Sequence, residues 1–164
     1  MSCSPSSSPQ LFNSPLETGM RSVLLLNAAQ PRAFDLTHLT WLDHLVVHTA
    51  DISGPPSLHP DIPQRDGELV IRRQVVEEGL RLMRRLHMVE TQYTDQGIVY
   101  STTSEAGILV QLVRSPYGRE LKKRAEWLIH YVMNADTSFL ASIISDKIGR
   151  WTIEFHPSEG KAVR

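Results

Sequence analysis

A long proline-containing stretch, from His48 to Arg73, is the strongest constraint on how this chain can fold. It separates two amphipathic helical patterns by roughly 18 residues that fit neither helix nor strand, whereas connections in compact domains are usually about 4–6 residues long. The stretch holds four prolines and two glycines, and its apolar anchors are Ile52, Leu58 and Ile62. Because prolines stiffen the chain and the anchors tie it to a core, we predict an ordered loop that carries a working surface.

Helical signals flank this loop on both sides. The segment 14–17, SPLE, is a capping box with proline at the first helical position, so a first helix should start there. Asp35 should cap a second helix, and Asp66 a third over roughly residues 67–88. Gly79 lies inside the third helix and predicts close packing or a slight kink. The apolar face of the first helix is predicted to comprise Leu16, Met20, Val23, Leu24 and Asn27.

The second half of the chain adds a β-hairpin and further helices. The segments VETQYT and IVYSTT flank a turn with Gly97, and their β-branched and aromatic residues predict two strands. Helices are predicted over about 105–113, 116–134 and 136–149, and the alternating segment 151–155 predicts a third strand.

These elements define the predicted fold class and domain organisation. The fold class is α+β, mainly α with a small β-hairpin, since helices precede and follow the hairpin. Three helices followed by a hairpin is the order of a winged helix, so we predict one winged-helix-like domain over residues 13–156 with a C-terminal helical extension. Residues 1–12, rich in serine and proline, should be a disordered arm, and 157–164 a frayed tail.

Composition narrows the functional classes. With 164 residues the chain can bury a core without disulfides or metal. Its one cysteine, Cys3, excludes an internal disulfide and a thiolate zinc site. The net charge of -1 gives no general attraction to nucleic acid or anionic lipid, and the longest apolar runs are far below the roughly 18 residues of a membrane span. We expect a cytoplasmic protein without a membrane association or a cofactor.

The sequence contains few features that indicate an enzyme. It contains no GxSxG elbow and no GxxxxGK[ST] or GxGxxG phosphate loop. His44 and His48 are four residues apart on one predicted helix, with Asp51, His59 and Asp61 following, which are residue types that bind zinc or iron. No HExxH spacing or later cluster completes such a site, so we predict no catalytic residue and no metal. A metal-dependent hydrolase is the weakest alternative.

Two basic helical stretches are candidate contacts with DNA or an acidic partner. Their charges are interleaved with glutamates at helical spacing, which is typical of a solvated or protein-facing surface. The predicted hairpin turn offers Asp95 and no lysine or arginine, which is unfavourable next to DNA phosphates. A stand-alone winged-helix DNA-binding protein therefore stays an alternative. The cations concerned are Arg81, Arg84, Arg85, Lys122, Lys123 and Arg124.

The long loop is the main candidate for a protein-binding surface. Its prolines lower the entropy that binding must overcome, and its charged residues can form directed pairs. The alternative is that these residues pair only internally and the loop braces the second and third helices. The predicted contact residues are His48, Asp51, Ser57, Leu58, His59, Pro60, Arg65, Glu68, Arg72 and Arg73.

Three segments resemble a known family: FNSPLETGMRSVLLLNA, DLTHLTWLDHLVVHTADISGPPSLHPDIPQRDGELVIRR and EEGLRLM. They are similar to the middle component of ABC-three-component conflict systems, of which Lamassu-type anti-phage defence is the best-known branch. The resemblance is clearest over Phe12–Met83. The positions that carry its most unusual motif are Ser57, Leu58, His59, Pro60, Arg65, Gly67, Glu68, Arg72 and Arg73.

This resemblance implies a non-enzymatic, winged-helix-like adaptor of a bacterial anti-phage complex. Such a protein would dock on an SMC-type ABC ATPase with a coiled-coil arm and on an effector, often a nuclease. It would hold the effector inactive until invading DNA is sensed, and would meet DNA indirectly through the complex. The resemblance implies no catalytic residue in this chain.

Overall fold

The computed structural model describes residues 14–60, 68–135 and 142. Its helices are α1 (Pro15–Ala28), α2 (Leu36–Val47), α3 (Glu68–Arg85), α4 (Ala106–Leu112) and α5 (Pro116–Asn134), with a short 3₁₀ helix over Thr49–Ile52 after α2. Its strands are β1 (Phe34–Asp35), β2 (Val89–Thr94) and β3 (Gly97–Thr102). The predicted fold class, mainly α with a small antiparallel sheet, is confirmed.

Side-chain caps fix where three of the helices begin. The Ser14 hydroxyl accepts a hydrogen bond from the Glu17 amide (3.2 Å), and the Asp35 carboxylate accepts one from the His38 amide (2.8 Å). The Ser115 hydroxyl caps α5 in the same way. Each cap satisfies an amide that has no partner inside its helix. The predicted starts of α1 and α2 are confirmed, whereas Asp66, the predicted cap of α3, lies outside the described residues.

The sheet is antiparallel, with the strand order β1-β3-β2. Strands β2 and β3 form the predicted hairpin, which turns at Gly97, where φ is +113°. Strand β1 pairs Phe34 with Tyr100 and places the start of α2 beside the hairpin. The two-residue strand β1 was not predicted, because two residues, the second of which is itself the cap of α2, are too few to show alternation.

Several predicted segments lie outside the described residues. They are the arm 1–12, the strand over 151–155, the tail 157–164, and the helix over 136–149 except for Ser142, which is helical.

The core is formed where α1, α2 and α3 meet. Helix α1 is buried almost all round over residues 23–26, and α2 buries Leu42 and Leu45 completely or nearly so. The predicted apolar face of α1 is only partly in this core. Val23 and Leu24 are buried, but Leu16 is 55% exposed.

Helices α1 and α3 touch through their backbones. A Cβ atom at Gly79 would lie 2.7 Å from the Gly19 amide nitrogen and 2.8 Å from the Pro15 carbonyl oxygen. A Cβ atom at Gly19 would lie 2.8 Å from the Gly79 carbonyl oxygen. The close packing predicted at Gly79 is therefore confirmed, and both positions exclude a side chain.

We expect Gly79→Ala to lower the free energy of unfolding by about 1–3 kcal/mol, because the added methyl group forces α1 away from α3. Gly107→Ala in α4 is the matched control, since no atom lies within 4 Å of a Cβ there, and it should raise stability by about 1 kcal/mol through helix propensity. Urea denaturation of both variants measures the difference. Equal effects of the two substitutions would contradict the close contact.

Candidate functional site

The described first part of the long loop folds back on the end of α2. The amides of Leu58 and His59 both donate to the Val47 carbonyl oxygen, at 3.0 and 3.1 Å. The Ser57 hydroxyl accepts a hydrogen bond from the Ala50 amide (3.1 Å). These bonds satisfy backbone groups that a loop leaves unpaired, so this part of the loop has a defined shape.

Helix α5 holds the same loop from the other side. The guanidinium of Arg124 donates from Nε and Nη2 to the Pro56 carbonyl oxygen, at 2.9 and 2.8 Å, and pairs with Glu120 at 2.7 Å. Gly54 lies against the ring of Trp127, leaving no room for a side chain. Arg124 was predicted to contact DNA or an acidic partner, but it is only 7% exposed and its guanidinium anchors the loop.

Three of the histidines noted in the sequence come together beside this loop. The rings of His44 and His48 are 4.6 Å apart between centroids, and those of His48 and His59 are 6.3 Å apart. His59 Nε2 hydrogen-bonds the Tyr117 hydroxyl of α5 at 2.7 Å. His44 Nε2 lies 3.9 Å from a carboxylate oxygen of Asp51, which is too far for a hydrogen bond.

The environment keeps the imidazoles of His44 and His59 neutral. Burial, together with the positive charge of Arg72, lowers the pKa of His44 to about 3. Burial and the charge of Arg21 lower the pKa of His59 to about 4. Since His44 is neutral at pH 7, its approach to Asp51 is not an ion pair. Among the residues that the structure describes, no group of three or more histidine, cysteine, aspartate or glutamate side chains is arranged to hold a metal ion.

A buried ion triad lies at the centre of the fold. Asp43 of α2 accepts from Arg21 of α1 at 2.7 and 3.1 Å, and from Arg72 of α3 at 2.6 Å. The side chains are 1%, 2% and 10% exposed, respectively. Burial alone would raise the pKa of the Asp43 carboxyl, but the two guanidinium groups outweigh it and lower that pKa below its usual range. The triad therefore joins three helices through one carboxylate.

Two members of this triad, Arg21 and Asp43, were not predicted from the sequence. The sequence did contain a signal for this ion pair, because each of the two residues places a charge within an apolar helical pattern, and the two charges have opposite signs. Arg72, by contrast, was predicted to contact a partner, and its guanidinium is committed to the triad.

Of the remaining predicted site residues, some contact the interior of the protein and others lie on its surface. Arg73 donates to the Thr37 hydroxyl of α2 at 2.9 Å, and Leu58 packs against the core. Pro60 is exposed, Glu68 is the first residue of α3, and Arg65 lies outside the described residues.

The predicted cationic contacts are mostly solvent-facing. Arg81 lies 3.9 Å from Glu77 in an exposed pair, and Lys123 pairs with Glu120 at 3.3 Å. The exposed or half-buried members of the set are Arg81, Arg84, Arg85, Lys122 and Lys123.

The fold and the site define a mainly helical domain in which grouped polar side chains hold the described part of a long loop in place. Over residues 11–154 the chain matches the family described as ABC-three component (ABC-3C) system Middle Component 2, and it belongs to this family. The comparisons with curated proteins and with solved structures give no match. In the described parts of the chain, none of the helices combines the length and apolar character needed to cross a membrane. The resemblance seen in the sequence is thus confirmed at the level of a middle component.

Asp43→Asn should lower the free energy of unfolding by about 3–5 kcal/mol, because it keeps the shape of the side chain but leaves two buried guanidinium groups without a counter-charge. Glu77→Gln is the matched control, since its pair with Arg81 is exposed, and its effect should stay within about 0.5 kcal/mol. Chemical denaturation at pH 7 measures both. Similar small effects would show that the triad does not stabilise the helix core.

Stability should also fall as the pH drops from about 6.5 towards 3, the range between the ordinary histidine pKa and the lowered pKa values of about 3 for His44 and about 4 for His59. In this range the unfolded chain binds protons at His44 and His59 that the folded chain does not, so acid favours unfolding. The lowered pKa of Asp43 acts separately, below about pH 4. His44→Gln should remove about one proton from the pH dependence of unfolding. A pH profile identical to that of the unsubstituted protein would contradict this assignment.

Proposed function

We propose that this protein is a non-enzymatic adaptor subunit of a bacterial anti-phage complex of the Lamassu type. In this proposal it bridges an SMC-type ABC ATPase and a nuclease-type effector, and it helps to keep the effector inactive until foreign DNA is sensed. The observation that carries the proposal is membership of the middle-component family over residues 11–154, because a middle component works with the other components of its system.

The geometry of the loop supports a role in binding. Its polar groups are engaged in contacts that set its shape, such as those of Arg124 with the Pro56 carbonyl and of His59 with Tyr117. A surface held in this way loses little conformational entropy when a partner binds. The loop can therefore have both roles, since its inner side can brace the helices while its outer side binds a partner.

The order of the elements supports a winged-helix-like core. Helices α1, α2 and α3 precede the β2–β3 hairpin, and β1 joins the sheet beside β3. Helix α3 then takes the place of the recognition helix, while α4 and α5 form the C-terminal extension. In this arrangement the long loop lies directly before α3, so a partner bound there contacts the outer side of the loop and the first turns of α3.

Co-expression with the ATPase and effector subunits of the same system tests the proposal. Size-exclusion chromatography with light scattering should show one complex that contains all three chains. The adaptor role would be contradicted if the ATPase and effector assembled without this chain, and if this chain eluted separately as a monomer.

The variant Pro60→Glu tests the exposed end of the described part of the loop. It should weaken binding of one partner about tenfold or more, because it places an acidic charge where an exposed proline stands, while the melting temperature stays unchanged. The control is Glu90→Gln on β2, exposed and away from the loop. If the loop variant binds both partners as the unsubstituted protein does, the loop only braces the helices and does not bind a partner.

A second candidate function, direct DNA binding, is favoured by the exposed cations Arg81, Arg84 and Arg85 in the last turns of α3. The hairpin beside them carries Asp95 at its turn, which repels phosphate. If the protein binds DNA directly, its affinity for duplex DNA should fall steeply with salt and weaken in Arg84→Glu. Binding that appears only in the assembled complex would support the adaptor role instead.

A further inference from the structure

A pocket of about 320 Å³ lies where the sheet meets the C-terminal end of α5. Its lining comes from the segment around β1 and the start of α2, from the hairpin turn with β3, and from the end of α5. The volume is at the lower end of the roughly 300–1,000 Å³ of typical small-molecule pockets, so the pocket suits a small ligand. It shares no residue with the long loop or with the candidate DNA contacts.

The apolar part of the lining is held by regular secondary structure. Phe34 belongs to β1, Val99 to β3, and Val132 and Met133 to the last turn of α5. Strand β1 pairs with β3 directly at this pocket, where Asp35 lies opposite Val99. Met133 is 44% exposed, whereas Phe34 is buried. The apolar body of a ligand can therefore leave water here without a rearrangement of the backbone.

The polar part of the lining contains an oriented histidine. The Asp35 carboxylate accepts hydrogen bonds from the His38 amide and from His38 Nδ1, both at 2.8 Å. Burial opposes ionisation of Asp35, but the hydrogen bonds from His38 lower its pKa below the ordinary value, so it is a carboxylate at pH 7. Because a carboxylate only accepts, Nδ1 carries a proton, and Nε2 is the ring nitrogen that remains for a ligand.

Arg32 supplies a positive charge to the same lining. Its side chain is exposed, and within the described residues its guanidinium has no carboxylate partner. The acidic side chain of the lining, Asp35, is instead bonded to His38 and lies in the field of Arg73. Gln96, on the hairpin turn, adds an amide that can donate and accept. Arg32 is therefore available to a negative charge from outside the lining.

We propose that this pocket binds a small organic carboxylate. The carboxylate pairs with the Arg32 guanidinium, whose two parallel N–H groups match its geometry, and the apolar body of the ligand lies against Val99, Val132 and Met133. A phosphate monoester is a poorer fit, because it carries up to two negative charges and the lining offers one arginine. The same chemistry is offered by a free small molecule and by the C-terminal residue of a peptide. The proposal goes beyond the adaptor function and does not depend on it.

Amide NMR spectra of the full chain, titrated with straight-chain carboxylates from butyrate to octanoate, test this site. At millimolar concentrations, the amide signals of residues 32–38, 96–99 and 132–135 should shift. The corresponding primary amides, which have nearly the same shape and no charge, should leave these signals in place. A short leucine-containing peptide, with its C-terminus free or amidated, distinguishes the two sources of the carboxylate.

Two substitutions of exposed residues add to this test. Arg32→Gln should weaken carboxylate binding about tenfold, because a charge-assisted hydrogen bond is lost. Met133→Glu should weaken it by a similar factor, because the new charge repels the ligand. Arg84→Gln is the matched control, since this exposed arginine of α3 lies outside the pocket, and it should not change binding. All three variants should keep the melting temperature of the unsubstituted protein.

The outcomes decide the site independently of the adaptor function. Shifts that are confined to the pocket, absent with the amides and weakened by Arg32→Gln support the site. Tighter binding of the free peptide than of the simple carboxylates also supports it and identifies a peptide as the source. The site is overturned if no carboxylate shifts these signals, if the amides shift them equally, or if Arg32→Gln binds as well as the unsubstituted protein. Since the titration uses the isolated chain, its failure leaves the co-expression test of the adaptor unaffected.

Discussion

The carboxylate of Asp43, held between Arg21 and Arg72, sets the relative positions of the three core helices. A single buried charge is strongly unfavourable, so each member of the triad requires the others in hydrogen-bonding geometry. The triad is directional, unlike the surrounding leucine packing, because its oxygen and nitrogen atoms have to meet at defined distances and angles. The backbone contact of Gly19 with Gly79 brings α1 and α3 close together at a second point.

The position of the long loop depends on this arrangement. Arg72 fixes the first turns of α3 relative to α2. The described part of the loop is tied to α2 through the Val47 carbonyl and to α5 through Arg124. The positive charge of Arg72 also helps to keep His44 neutral, which suits its packing against His48. The polar residues near the described part of the loop thus serve the fold first.

Local rules predicted the elements and their starts well. The caps at Ser14 and Asp35 and the turn at Gly97 depend on neighbouring residues, so the sequence alone identifies them. The strand β1 depends on pairing with β3, more than sixty residues away in the chain, and no local sequence pattern predicts it.

Side-chain roles were harder to predict than elements. A helical pattern shows that Leu16 is on an apolar face, but not that its side chain is more than half exposed. Arg72 and Arg124 resemble surface cations in the sequence, and only the tertiary structure shows that one completes a buried triad and the other holds a loop carbonyl. For the same reason, the family resemblance could indicate the partners but not the surfaces that meet them.

We propose that the protein acts as a preformed adaptor, whose core stays unchanged while its surface engages other subunits. Hydrogen–deuterium exchange, compared between the isolated chain and the chain assembled with its ATPase and effector, tests this most directly. We expect slower exchange at surface segments on assembly, with the segments around Arg21, Asp43 and Arg72 equally protected in both states. Unchanged exchange at every segment, or faster exchange around the triad in the complex, would contradict it.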